Sequence, residues 1–151
     1  MSNQATVSSQ GSASAHRVVL AVPHAGLSEG IQGLLATRFD AVVLVSDETS
    51  LAECLGALHP ELLVLDLALA RRSGMALAER LHTAHPEVRI LLLVEDEDAG
   101  FTRAAQAAGA DGCLLKRALG HELLSAADEV LVGGKAFWSS RQPEPGRPAD
   151  P

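Results

Sequence analysis

What most limits the fold of this chain is an alternation, repeated five times, between short runs that are apolar almost throughout and longer stretches with apolar residues three and four apart. The short runs are 17–22 (RVVLAV), 41–45 (AVVLV), 62–67 (LLVLDL), 90–94 (ILLLV) and 112–116 (GCLLK). Runs of that length without polar alternation read as strands buried on both faces. The stretches between them read as amphipathic helices. Leu27, Ile31, Leu34 and Leu35 mark the buried stripe of the first, which ends near Arg38. Leu51, Cys54, Leu55 and Leu58 mark the second; Ser50 with Glu53 predicts a capping box at its start, and His59 followed by Pro60 stops it. A third helix over 75–85 carries Leu77, Leu81 and Ala84, an alanine-rich fourth covers 101–108, and a fifth runs over 120–132 before Gly133 and Gly134.

Five such β–α units imply an α/β fold with a doubly wound parallel sheet, because strands buried on both sides need helices on both faces and right-handed crossovers between them. In open sheets of this kind the working groups gather outside the carboxyl ends of the strands. The units occupy 16–135 as one domain. Residues 1–15, rich in Ser, Gln, Ala and Gly, read as a disordered leader, and the proline-rich 136–151 reads as a linker or tail.

Charge and cysteine usage narrow the function. A formal net charge of -7 over 151 residues speaks against a nucleic-acid surface on this chain, since such surfaces carry a basic stripe. Two cysteines, Cys54 and Cys113, make no disulfide framework and fit small buried hydrophobes in a reducing cytoplasm. The strongly apolar runs are strand-sized, too short to span a membrane.

Two charged residues stand at strand ends where chemistry is expected. Asp66 interrupts the apolar run LLVLDL, and a lone carboxylate there needs a reason because burying an unpaired charge is costly. One reading makes it a cap or the partner of a nearby cation; the other makes it a nucleophile or ligand. Lys116 closes the fifth strand and should emerge on the same sheet edge, either as a solvated strand end or as an amine set over the carboxylate.

The run 60–66 (PELLVLD), Gly74 eight residues after Asp66, and the run 109–116 (GADGCLLK) together resemble the receiver domains of bacterial two-component response regulators, particularly the LuxR/NarL type. The likeness covers about residues 16–135. It implies a flavodoxin-like (βα)5 fold, Asp66 as the phosphoacceptor position, and Lys116 as the residue that pairs with the phosphate.

The same comparison marks departures. Where the family carries an acidic pair that holds Mg2+, this chain has Val22 and Pro23, which offer no side-chain oxygen. Mg2+ requires near-octahedral oxygen coordination, so its binding is expected to be weak, and no other cofactor is expected. The family's hydroxyl residue after the fourth strand corresponds to Val94, its switch aromatic to Cys113, and its proline four residues past the phosphoacceptor to Ala70. The pocket is therefore expected to be degenerate at Val22, Pro23, Val94 and Cys113.

Other charged groups stand near enough in the sequence to make up this loss. Glu95, Asp96, Glu97 and Asp98 follow the fourth strand and offer carboxylates, though a charge run in a loop is usually a solvated surface. Arg71 and Arg72 stand in the loop after Asp66, where an anion or Asp66 itself is within reach. His24, and His82 with His85, lack partners at zinc-ligand spacing.

The expected function is regulatory and non-enzymatic: a receiver working by protein contacts, phosphorylation-independent or weakly phosphorylated, as a homodimer, and answering a histidine kinase or a small-molecule ligand. A weak homodimer is expected on a charge-poor face of the fourth helix, fifth strand and fifth helix, part of which must be core, while the resemblance also implies the neighbouring face of the first and fifth helices as a partner surface. DNA is expected to be reached only through a C-terminal domain outside this chain, as the proline-rich segment after Trp138 resembles the join in LuxR-type regulators. The competing reading is a conventional phospho-accepting receiver with a rebuilt Mg2+ site. A dinucleotide enzyme is disfavoured because PHAGLSEG lacks the Gly-x-Gly-x-x-Gly turn, and a haloacid-dehalogenase-type hydrolase because Ala68 stands where its second aspartate belongs.

Overall fold

A computed structural model describes residues 16–137 apart from 24, 71, 97 and 98. The leader 1–15, the tail beyond 137, and His24, Arg71, Glu97 and Asp98 lie outside the described residues. Strands β1 (Arg17–Ala21), β2 (Ala41–Val45), β3 (Leu62–Asp66), β4 (Arg89–Val94) and β5 (Gly112–Leu115) alternate with helices α1 (Ala25–Ala36), α2 (Glu48–Leu58), α3 (Gly74–Ala84), α4 (Ala99–Ala107) and α5 (Leu119–Leu131). A two-residue strand β6 (Ala136–Phe137) follows.

The sheet order is β2-β1-β3-β4-β5-β6, with every pairing parallel. This is the flavodoxin-like order, and its reversal between β1 and β3 opens the crevice at their carboxyl ends. Alternate strand residues face opposite layers. Val18, Leu20, Val22, Val64 and Leu91 pack against Ile31 and Leu35 of α1 and Leu123 and Val130 of α5. Val19, Ala21, Leu65, Leu92 and Cys113 pack against Leu51 and Leu55 of α2, Leu77 and Leu81 of α3, and Ala105 of α4. Complete burial of each such leucine contributes roughly 1.5–3 kcal/mol, which is why the strands read as unbroken apolar runs.

Two expectations are corrected and a third is narrowed. The cap of α2 is Asp47, whose side chain accepts from the Ser50 backbone N–H at 2.7 Å; Ser50 lies inside the helix. A carboxylate at the first turn also meets the positive end of the helix dipole, so Asp47 does the capping one turn earlier, on the Ser50 N–H itself. The sheet extends past 135: Ala136 N–H donates to Asp111 O at 2.9 Å, and Phe137 is buried, so the first two residues assigned to the linker are core. The apolar residues of the proposed association face are mostly interior, with Ala105, Ala108, Leu114, Leu115, Leu123, Ala127 and Val130 all buried because α4 and α5 need that stripe to cover the sheet. Among the described residues, the large exposed hydrophobics are Leu44 on β2 and Val132, which caps the C-terminal end of α5.

Asp111 ties the lower edge of the sheet. It is buried, its Oδ2 accepts from Ile90 N–H at 2.9 Å, and its Oδ1 lies 2.8 Å from Lys135 Nζ and 3.9 Å from Arg89 Nη1. Three strands are thus joined at one carboxylate. No described helix is long and apolar enough to cross a membrane.

Candidate functional site

Asp66 is the last residue of β3, paired in register with Leu93, and the chain turns there into a short 3-10 helix, Leu67–Leu69. Its side chain caps that turn, with Oδ1 accepting from Ala68 N–H at 2.9 Å. Gly74 opens α3 directly above: a Cβ at that position would stand 2.8 Å from Leu67 Cβ, so only glycine lets α3 close onto the turn that follows Asp66. The sequence pattern therefore encodes a close backbone approach at the site.

Lys116 is placed by the neighbouring strand. β5 ends at Leu115 opposite Val94, and Lys116 begins another 3-10 turn, Lys116–Ala118. Its Nζ lies 2.8 Å from Asp66 Oδ2 and 3.3 Å from Glu95 Oε2. The approach to Oδ2 is close enough for a full ion contact but is poorly directed for a hydrogen bond, whereas Glu95 accepts one. Burial alone pulls the Lys116 ammonium down; contact with Asp66 and its charge, then those of Glu95, outweigh it and leave the pKa raised.

A crevice of about 290 Å3 opens beside this pair, lined by Asp66, Lys116, Val94, Glu95, Asp96 and Phe101 among others. Its walls are the apolar side chains that follow β3 and end β4. The structure thus brings Asp66, Lys116, Val94, Glu95 and Asp96 together. Val22 and Pro23 do not line that crevice: Val22 faces the α1/α5 layer at 1% exposure, and its N–H donates to Val45 O. Cys113 points into the opposite layer, and its burial pushes the thiol up to about 12.

The other candidates stand apart. Arg72 is exposed and lines a separate cavity with Glu48, Ser73, Ala76 and Arg80. His85 ends α3, where its N–H donates to Leu81 O, and His82 borders the cavity at the lower edge near Asp111. Among the described residues, no three His, Cys, Asp or Glu side chains gather closely enough to hold a metal ion.

Sequence reasoning missed two members. The sequence offers Glu95 as a metal-ligand candidate and not as the second partner of Lys116, although the pairing of Val94 with Leu115 places 95 beside 116. Phe101 gave no signal, because its position depends on how α4 turns after β4.

The family model described as response regulator receiver domain matches residues 20–128. The chain is 31% identical over 81 residues to the virulence factors putative positive transcription regulator BvgA of Bordetella pertussis, covering 54% of this chain and 39% of that protein. It is 24% identical over 120 residues to the transcriptional regulatory protein DegU of Brevibacillus brevis, covering 78% of this chain and 51% of that protein. The chain thus spans about half, or less, of the curated relatives it matches. Among solved structures it is similar to a LuxR-family two-component response regulator from Aurantimonas sp., at 26% identity and TM-score 0.75, covering 82% of this chain and 89% of that one. The isolated receiver domain of RcsB from Salmonella enterica superposes with TM-score 0.75 at 22% identity, covering 81% and 92%, a likeness of fold.

Proposed function

The chain belongs to the response-regulator receiver family, and on that footing we propose that it is an atypical receiver, signalling through protein contacts with little or no phosphorylation of Asp66. The observation that carries this reading is the state of Asp66. It is 1% exposed, with one oxygen engaged by Ala68 N–H and the other set on the Lys116 ammonium. Phosphoryl transfer to a carboxylate depends on cations and donors arranged to stabilise the transferring group. Here Val94 supplies shape without a hydroxyl, and Lys116 is the cation in contact with Asp66.

The residues present do not fit Mg2+. Val22 and Pro23 carry no oxygen donor in their side chains, Val22 is turned into the core, and both oxygens of Asp66 have partners within the chain. A hard cation of this kind needs carboxylates free to coordinate it. The partners in this reading are a second copy of the chain and either a histidine kinase or a small-molecule ligand. DNA would be reached through a C-terminal domain, as suits a relative of transcription regulators.

The test is mass measurement after incubation with acetyl phosphate and MgCl2. The proposal expects at most a small, substoichiometric gain of phosphoryl mass. Stoichiometric gain, lost in Asp66→Asn, supports the conventional reading, whose best foothold is Asp96 on the wall of the same crevice.

A further inference from the structure

We propose that Glu95 is an intramolecular stand-in for a phosphoryl group: its carboxylate occupies the outer face of Lys116 and so holds the turn after β4 against the end of β5. This rests on the reading that Asp66 is not the group that is loaded. It goes further by naming the acid that does the phosphate's work.

The geometry carries it. Lys116 has two acidic partners on one ammonium: Asp66 at 2.8 Å beneath and Glu95 at 3.3 Å outside. Only 12% of the lysine side chain is exposed, whereas 75% of Glu95 is, so the cation is fixed by the core and the outer acid is the movable member. Glu95 is held a second time through its backbone, with Arg117 Nη1 donating to Glu95 O at 3.5 Å. Consecutive residues past β5 thus grip both the side chain and the backbone of one residue past β4.

Position gives the contact its consequence. Glu95 directly follows Val94, and the segment then leads into α4, whose Phe101 lines the same crevice. An anion on Lys116 at this place tethers the residue after β4, four positions before α4 begins, to the β5 edge. A phosphoryl group on Asp66 would bring its negative oxygens to the same ammonium, so the two anions compete for one position. Because Glu95 is mostly exposed, added salt screens this outer pair more than the buried contact of Lys116 with Asp66.

The full chain and its Glu95→Gln variant test this by NMR. Glu95→Gln should lower the titration midpoint of Lys116 Nζ, shift the amides of α4, and speed hydrogen exchange in the β4–α4 turn by about two- to five-fold, the scale of one partly exposed ion pair. Raising NaCl should move the wild-type amides in the same direction and leave those of the variant still. The inference is overturned if the folded variant keeps the wild-type Lys116 titration and α4 amides, or if salt moves both proteins alike. Phosphoryl uptake is read separately by mass, so this contact and the unloaded state of Asp66 fail on different measurements.

Discussion

Lys116 Nζ stands 2.8 Å from Asp66 Oδ2, an ammonium on a carboxylate that is 1% exposed. Neither strand makes this contact alone: Asp66 ends β3 and Lys116 follows β5, with β4 lying between them in the sheet. Removing the lysine would leave a buried charge without a cation. Lys116→Met is expected to destabilise the domain by about 3 kcal/mol, and Asp66→Asn added to it to recover a good part of the loss. Urea unfolding of the two single variants and the double variant checks the coupling.

On the proposed atypical reading, Asp66→Asn alone is expected to leave self-association and partner binding close to wild type, since Val94 offers no hydrogen bond and Cys113 no aromatic ring to relay a phosphoryl signal. Output of the regulator in cells with active sensor systems, compared between wild type and a folded Asn variant, is the measurement. Complete loss of output would show that Asp66 still signals by phosphorylation.

Titration calorimetry with MgCl2 at millimolar concentration should show no one-to-one site. On the proposed reading Val22 and Pro23 stand where the family resemblance puts the acidic pair, and Asp66 and Glu95 are already engaged by Lys116. A site abolished by Asp96→Asn would restore the rebuilt-metal reading.

Asp111→Ala should cost about 2–4 kcal/mol, because it removes the acceptor of Ile90 N–H and leaves Lys135 and Arg89 without their shared carboxylate. Hydrogen exchange should rise first at Ala136 and Phe137, whose short strand hangs on this corner.

Alkaline pH should unfold the domain with a sign set by Cys113. Its pKa is raised from 9.0 to about 12 by burial, so the folded chain keeps the thiol proton that the unfolded chain gives up. The stabilisation is complete below pH 9.0 and falls by about 1.4 kcal/mol per pH unit as pH rises towards 12. Lys116, also raised, acts in the same direction above its ordinary value of 10.5. Cys113→Ala should flatten the slope between pH 9 and 12, and alkylating reagents should reach the partly exposed Cys54 well before Cys113.

The sequence by itself determined the class of fold, because five apolar runs without polar alternation can be satisfied only by a sheet covered on both faces, and the intervening 3.6-residue periodicity supplies the cover. It also singled out Asp66 and Lys116, charged residues at the ends of apolar strands, whose cost demanded a partner. What the tertiary structure alone decided was local or lateral. Asp47 rather than Ser50 caps α2 because several nearby side chains could serve and the backbone chose one turn earlier. Ala136 and Phe137 joined the sheet because Asp111 and β5 presented an edge that no two-residue pattern announces. The side of the sheet to which Val22 turns, the place of Phe101 and the grip of Lys116 on Glu95 followed from register and helix docking. Those are relations between strands, and periodicity along a single strand does not carry them.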